Sequence, residues 1–215
     1  MPLINIETPL HDCRLITWKI TESENDLIDI VTAGGREDFI PAKEFKSKKR
    51  RMEWLSTRCA LLQTNHDKAV SIEYADNGKP FLASRKYHIS VSHAWPLVCI
   101  LEHDKHAVGI DIEFMTDRIL KIADKFVNQD ELNWMSSRNS LNELYLIWAA
   151  KEAVFKMKSA SGVDFRTQLI LSKTDIQSSG NTTIQFSKDG KQEMYNIYYR
   201  YLDNMILVYT IAFST

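Results

Sequence analysis

After Gly162 the chain reads as one strand after another, and this restricts the fold more than any other feature. Gln168–Leu171, Thr183–Phe186, Glu193–Tyr201 and Met205–Phe213 are strand-like, with Asp189-Gly190 as a hairpin turn signal. Upstream, Leu15–Ile20, Val70–Ala75, His88–Ser92, Leu97–Leu101 and Ala107–Glu113 read the same way, and Asp76-Asn77-Gly78 marks a further tight turn. Helices are few. Thr21 with Glu24 makes a capping box for a helix to about Ile30. Pro41 suits the first position of a long helix whose later half carries Met52, Leu55, Cys59 and Leu62 at helical spacing. A helical region begins near Asp117, a short helix fits Asp130–Met135, and a Ser140/Glu143 capping box opens a helix to about Lys158. Hairpin-linked strands with a few helices point to an α+β fold rather than a wound parallel sheet.

With 215 residues the chain can form one large domain or two small ones. An apolar share of 44% and a charged share of 26% are those of a soluble globular protein. A formal net charge of −1 provides no global field toward nucleic acid or an anionic membrane. The 3 cysteines (Cys13, Cys59, Cys99) are odd in number and far apart, which argues for a reducing compartment. No basic-then-apolar leader opens the chain, and the longest apolar run, Met205 to Phe213, is too short to span a bilayer. These features lead us to expect a cytoplasmic protein.

Two segments carry chemistry. In Val108-Gly-Ile-Asp111-Ile-Glu113 the period of two puts Asp111 and Glu113 on one face of a strand. Neighbouring carboxylates repel unless a cation lies between them, and Mg²⁺ takes such oxygen ligands together with waters and substrate phosphates. Gly109 marks close approach by a ligand or another backbone. In Trp148-Ala-Ala-Lys151-Glu152-Ala-Val-Phe-Lys156, residues 148, 152 and 156 share a helix face and Lys151 lies to one side. Glu152 would then be a third metal ligand or a general base, and the two lysines would neutralise phosphate oxygens. Each segment alone is better explained by ordinary surface charge.

The N-terminal half adds a basic run, Lys43, Lys46, Lys48, Lys49, Arg50 and Arg51, with Arg58 beyond it. At neutral overall charge, a small anionic ligand suits this run better than a polyanion. Asn77-Gly78-Lys79-Pro80-Phe81 is a rigid turn bearing one cation, and Val91-Ser92-His93-Ala94 offers a hydroxyl and an imidazole at a strand end. No Cys/His spacing fits zinc.

Together these segments resemble the 4′-phosphopantetheinyl transferases, in particular their long, two-lobed surfactin type. The resemblance runs from about Pro41 to Lys156, with the motifs in the family's order. Gly78-Lys79-Pro80 is similar to the first motif and Val91-Ser92-His93-Ala94 to the second. Gly109–Glu113 and Trp148–Lys156 resemble the two signature motifs, with Lys125-Phe126 and Gln129-Asp130-Glu131 similar to a weaker segment between them.

The resemblance implies transfer of the phosphopantetheine arm from coenzyme A to a serine of an apo acyl carrier protein or a peptidyl or aryl carrier domain. Adenosine 3′,5′-bisphosphate would be the other product. It implies Mg²⁺ held by Asp111, Glu113 and Glu152, with Glu152 also the base and Lys156, beside Lys151, steadying the diphosphate. By position Lys43, Lys46, Arg58 and His93 would hold the 3′-phosphate. Gly78, Lys79, Pro80 and Phe81, with Val91, Ser92 and Ala94, would surround the adenosine. Ala94 and Cys59 stand where the family commonly has serine and threonine.

The resemblance further implies two similar lobes (a pseudo-dimer) with mostly antiparallel sheets, each packed with a long helix. We divide them as residues 1–103, the nucleotide side, and 104–215, the metal-binding and catalytic side. The size implies a monomer without nucleic-acid or membrane partners. The alternatives are a catalytically idle relative that only binds coenzyme A or a carrier protein, and a metal-dependent nuclease or phosphatase using the basic run.

Overall fold

The structure is a computed structural model and describes residues 3–34, 45–64, 71–84, 86–137 and 140–213. The chain divides into two compact units, residues 1–105 and 106–215. Both are α+β with antiparallel sheets.

In the first unit, strands β1 (Leu3–Glu7), β2 (Cys13–Lys19), β5 (His88–Ala94) and β6 (Leu97–His103) form a sheet in the order β1-β2-β6-β5. Between β2 and β5 the chain makes helices α1 (Glu24–Ala33) and α2 (Lys48–Thr64) and a small hairpin, β3 (Ile72–Tyr74) with β4 (Pro80–Leu82). The turn of that hairpin holds Gly78 at φ +81°, where a side chain would be strained. The cap of α1 differs from the expected Thr21/Glu24 box. Ser23 Oγ accepts from the Asp26 amide at 3.2 Å and the Asp26 carboxylate accepts from the Ser23 amide at 2.9 Å, so the helix starts later. Residues 35–44 and 65–70, including Pro41, Lys43 and Val70, lie outside the described residues. Ile16, Trp18, Leu27, Val31, Leu55, Cys59 and Leu61 are among the buried side chains joining sheet to helices.

The second unit repeats this wiring. Strand β7 (Val108–Phe114) is followed by helices α3 (Ala123–Phe126), α4 (Gln129–Trp134) and α5 (Leu141–Lys158). The chain then returns through β8 (Leu169–Leu171), β9 (Ser179–Lys188), β10 (Lys191–Leu202) and β11 (Met205–Ile211). The sheet order is β7-β11-β10-β9-β8, so the strand entering the helices again lies beside the last strand of its unit, as β2 lies beside β6. Asp189 and Gly190 sit at φ +52° and +75° and close the β9–β10 hairpin, the backbone that a primed turn requires. The expected Ser140/Glu143 box does not form. Ser140 occupies the cap position without a side-chain bond, and the Glu143 carboxylate accepts from the Ser136 amide instead. Among the described residues no helix is long and apolar enough to cross a membrane.

Candidate active site

Pairing with β11 sets the orientation of the acidic strand. Gly109, Asp111 and Glu113 lie opposite Thr210, Val208 and Ile206, and the last two are part of the core that α5 covers. Side chains directly opposite in a ladder share a face, so both carboxylates project toward α5. On the helix, Ala149, Ala150 and Ala153 are fully buried, and these small residues let α5 approach β7 closely.

The next stripe of α5 carries Trp148, Glu152 and Lys156. The Lys156 ammonium donates to Asp111 Oδ1 at 2.7 Å and to the Ile110 carbonyl oxygen at 3.2 Å. The Trp148 indole N–H donates to Glu113 Oε1 at 3.0 Å. Glu152 lies between them and feels both strand acids. Burial, then the charge of Asp111, pushes its carboxyl up to about 7, with Lys156 opposing and Glu113 reinforcing the shift. Burial and Asp111 likewise raise the Glu113 carboxyl, against the indole bond and Lys156. A carboxyl poised near neutrality is suited to taking up a proton from a hydroxyl.

Among the described residues no three Asp, Glu, His or Cys side chains converge into a ready-made metal cage. The donor set still suits a hard divalent cation. It offers oxygen ligands alone, and its acids hinder one another's ionisation, a strain that an added cation relieves. Mg²⁺ is usually held by one or two carboxylates with waters and substrate phosphates, not by an all-protein cage.

Lys151 is a correction to the expected phosphate-binding set. It is fully buried, and its ammonium donates to Glu131 Oε2 at 2.8 Å and to the carbonyl oxygens of Phe126 and Phe165 at 2.6 and 2.9 Å. Its three donors are thereby spent inside the unit and none is turned to a ligand. Glu131 is equally buried. It accepts from the Asn128 amide at 3.0 Å and from the Leu171 amide at 2.9 Å. Sequence reasoning missed this ion pair, although the Asn128-x-x-Glu131 spacing of a capping box was legible.

In the first unit, α2 brings Thr57 beside β5, with Thr57 Oγ1 3.4 Å from His93 Nε2. The Arg58 guanidinium lies 3.2 Å from the centre of the Trp54 ring and also donates to the Trp54 carbonyl oxygen. Strand alternation puts Val91 and His93 on the helix side of β5 and Ser92 and Ala94 on the other, so the second motif is divided between two faces. Gly78 is exposed, while Lys79, Pro80 and Phe81 are half-buried, and burial lowers the Lys79 ammonium. Lys46 is exposed. Much of the basic run is engaged locally. Arg51 donates to both Glu24 carboxylate oxygens, at 2.6 and 3.2 Å, and Lys49 and Arg50 lie 3.8 Å from Glu53. Cys59 is buried and its thiol contacts the Leu27 carbonyl oxygen at 3.6 Å, so position 59 faces α1 and not a ligand.

Residues 107–210, which include the acidic strand and the charged helix, match the model of the 4′-phosphopantetheinyl transferase superfamily. A Haemophilus influenzae protein provisionally named a 4′-phosphopantetheinyl transferase is 30% identical over 91 residues, 40% of this chain and 39% of that protein. The 4′-phosphopantetheinyl transferase gsp of Aneurinibacillus migulanus is 33% identical over 84 residues, 37% of this chain and 34% of that protein. The chain therefore covers little more than a third of the length of these relatives. Over residues 107–210, just under half of its length, the chain is similar to the 4′-phosphopantetheinyl transferase superfamily.

Proposed function

We propose that the protein transfers the 4′-phosphopantetheine group of coenzyme A to a serine of an apo acyl carrier protein or peptidyl or aryl carrier domain. The products are the holo carrier and adenosine 3′,5′-bisphosphate. The observation that carries this reading is the meeting of Asp111, Glu152 and Lys156 across β7 and α5, inside the stretch that matches the superfamily. Asp111, Glu113 and Glu152 are the side chains that would hold Mg²⁺, and the ion would supply positive charge to the diphosphate oxygens.

In the reaction the carrier serine attacks the β-phosphorus and the bond to the leaving bisphosphate breaks. Glu152 takes the serine proton, directly or through a water, and its carboxyl near 7 suits that role at neutral pH. Lys156 stabilises the charge that gathers on the departing phosphate oxygens. In the first unit Lys46, Arg58 and His93, with Lys43, are assigned to the 3′-phosphate. Lys79, Pro80 and Ser92, with their motif neighbours, are assigned to the adenosine. The halves 1–103 and 104–215 thus take the nucleotide and the metal respectively, in a monomer working in the cytoplasm without nucleic-acid or membrane partners.

A panel of apo carrier proteins incubated with coenzyme A, Mg²⁺ and the protein, read by intact mass, tests this. Gain of one phosphopantetheine on a carrier is expected. No gain on any carrier of the panel overturns the reading, and tight coenzyme A binding in the same preparation would then identify an idle binding relative.

A further inference from the structure

A chain of contacts leads from the fully buried Lys151–Glu131 pair to the half-buried Glu113. Lys151 donates to the carbonyl oxygens of Phe126 and Phe165. The rings of those same two residues flank Trp148, with centroids 5.1 and 5.7 Å from it. The Trp148 indole N–H in turn holds Glu113 Oε1. Glu131 secures the far end, since its two oxygens accept from Lys151, the Asn128 amide and the Leu171 amide. One ammonium thus fixes both walls of an aromatic slot, and the slot fixes the single donor that orients a carboxylate of the candidate metal cluster.

We propose that Trp148 is the positioning residue for Glu113, and that the Lys151–Glu131 pair acts on the metal through it while touching neither metal nor substrate. This rests on the reading of Asp111, Glu113 and Glu152 as the Mg²⁺ site. A free carboxylate rotates among several orientations, and a bond from a wedged indole selects one. Groups that orient ligands in this way commonly change metal affinity about 10–100-fold. The charge of Lys151 is spent on two backbone carbonyls and one buried acid, so its contribution is geometric.

The test is Mn²⁺ binding to the full-length protein, followed by electron paramagnetic resonance, with melting temperature measured alongside. Trp148→Phe keeps an aromatic ring in the slot while removing the N–H and part of the ring volume, and it is expected to weaken Mn²⁺ binding by about tenfold or more. Glu131→Gln is expected to weaken it similarly. Should Glu131→Gln not fold, Phe165→Leu, which removes one wall of the slot, decides the same point. Ile184→Val, a trim elsewhere in the same core, is expected to lower the melting temperature with no change in Mn²⁺ affinity. Trp148→Phe binding Mn²⁺ as tightly as the parent overturns the proposal while leaving the metal reading intact. Failure of the parent to bind Mn²⁺ removes the metal reading, and the proposal with it.

Discussion

Gly109 and Ala153 meet backbone to backbone: a Cβ on residue 109 would fall 1.9 Å from the Ala153 carbonyl oxygen. No side chain fits that gap, so the strand and the helix come as close as their main chains allow. That approach brings Lys156 within 2.7 Å of Asp111 and the Trp148 indole within 3.0 Å of Glu113. A glycine with no contact to any reacting atom thereby sets the spacing of the whole acidic cluster.

Gly109→Ala should therefore force α5 away from β7. Overpacking typically costs about 1–3 kcal/mol, and a clash with backbone belongs at the upper end. Urea denaturation should register that loss, and intact-mass transfer assays should show activity falling further than stability alone explains. A variant with the parent's midpoint and rate would show that the gap closes cheaply.

Gly109 also marks where the sequence was informative and where it was not. A glycine inside an alternating strand announced close approach, and the approach is by another backbone. The common face of Asp111 and Glu113 follows from period two, and the helix ending at Lys158 follows from its pattern. The inward turn of Lys151 did not follow, because its partners Glu131 and the Phe165 carbonyl lie 20 and 14 residues away in sequence. Local spacing cannot reveal an acceptor brought up by another segment. Capping at Ser23 and the loss of the Ser140 box have a similar cause, since nearby side chains compete for the same amides.

Glu152→Gln should abolish transfer and leave the fold intact. It should also change how stability depends on pH when metal is removed by chelation. The parent carboxyl is raised from 4.5 to about 7 by folding, so the folded protein favours its protonated form. Its stabilising contribution is complete below about 4.5 and is lost as pH rises through about 7. The neutral amide has no such loss. Melting temperatures should show the variant gaining on the parent as pH rises across this window, and a constant difference would place the perturbed carboxyl elsewhere.

Lys156→Met removes the cation that lowers both Glu152 and Glu113. The acid limb of the pH–rate profile should therefore move to higher pH, and turnover should fall. Breaking one side of a fully buried pair costs about 3–5 kcal/mol, and with the Lys156 side chain 28% exposed about 2 kcal/mol is expected here. A pH–rate profile superimposable on the parent's would separate Lys156 from the base.

Lys151 and Glu131 call for a different signature, because both side chains are 0% exposed. Removing either one leaves the other as an uncompensated buried charge, so Lys151→Met or Glu131→Leu alone should cost about 3–5 kcal/mol in urea denaturation. The double variant restores neutrality with apolar groups and should be more stable than either single one. A phosphate-binding lysine would behave otherwise: Lys151→Met would then raise the KM for coenzyme A with little change in stability, and the two substitutions would simply add. The double-mutant cycle, read in both stability and KM, distinguishes the buried anchor from the phosphate clamp.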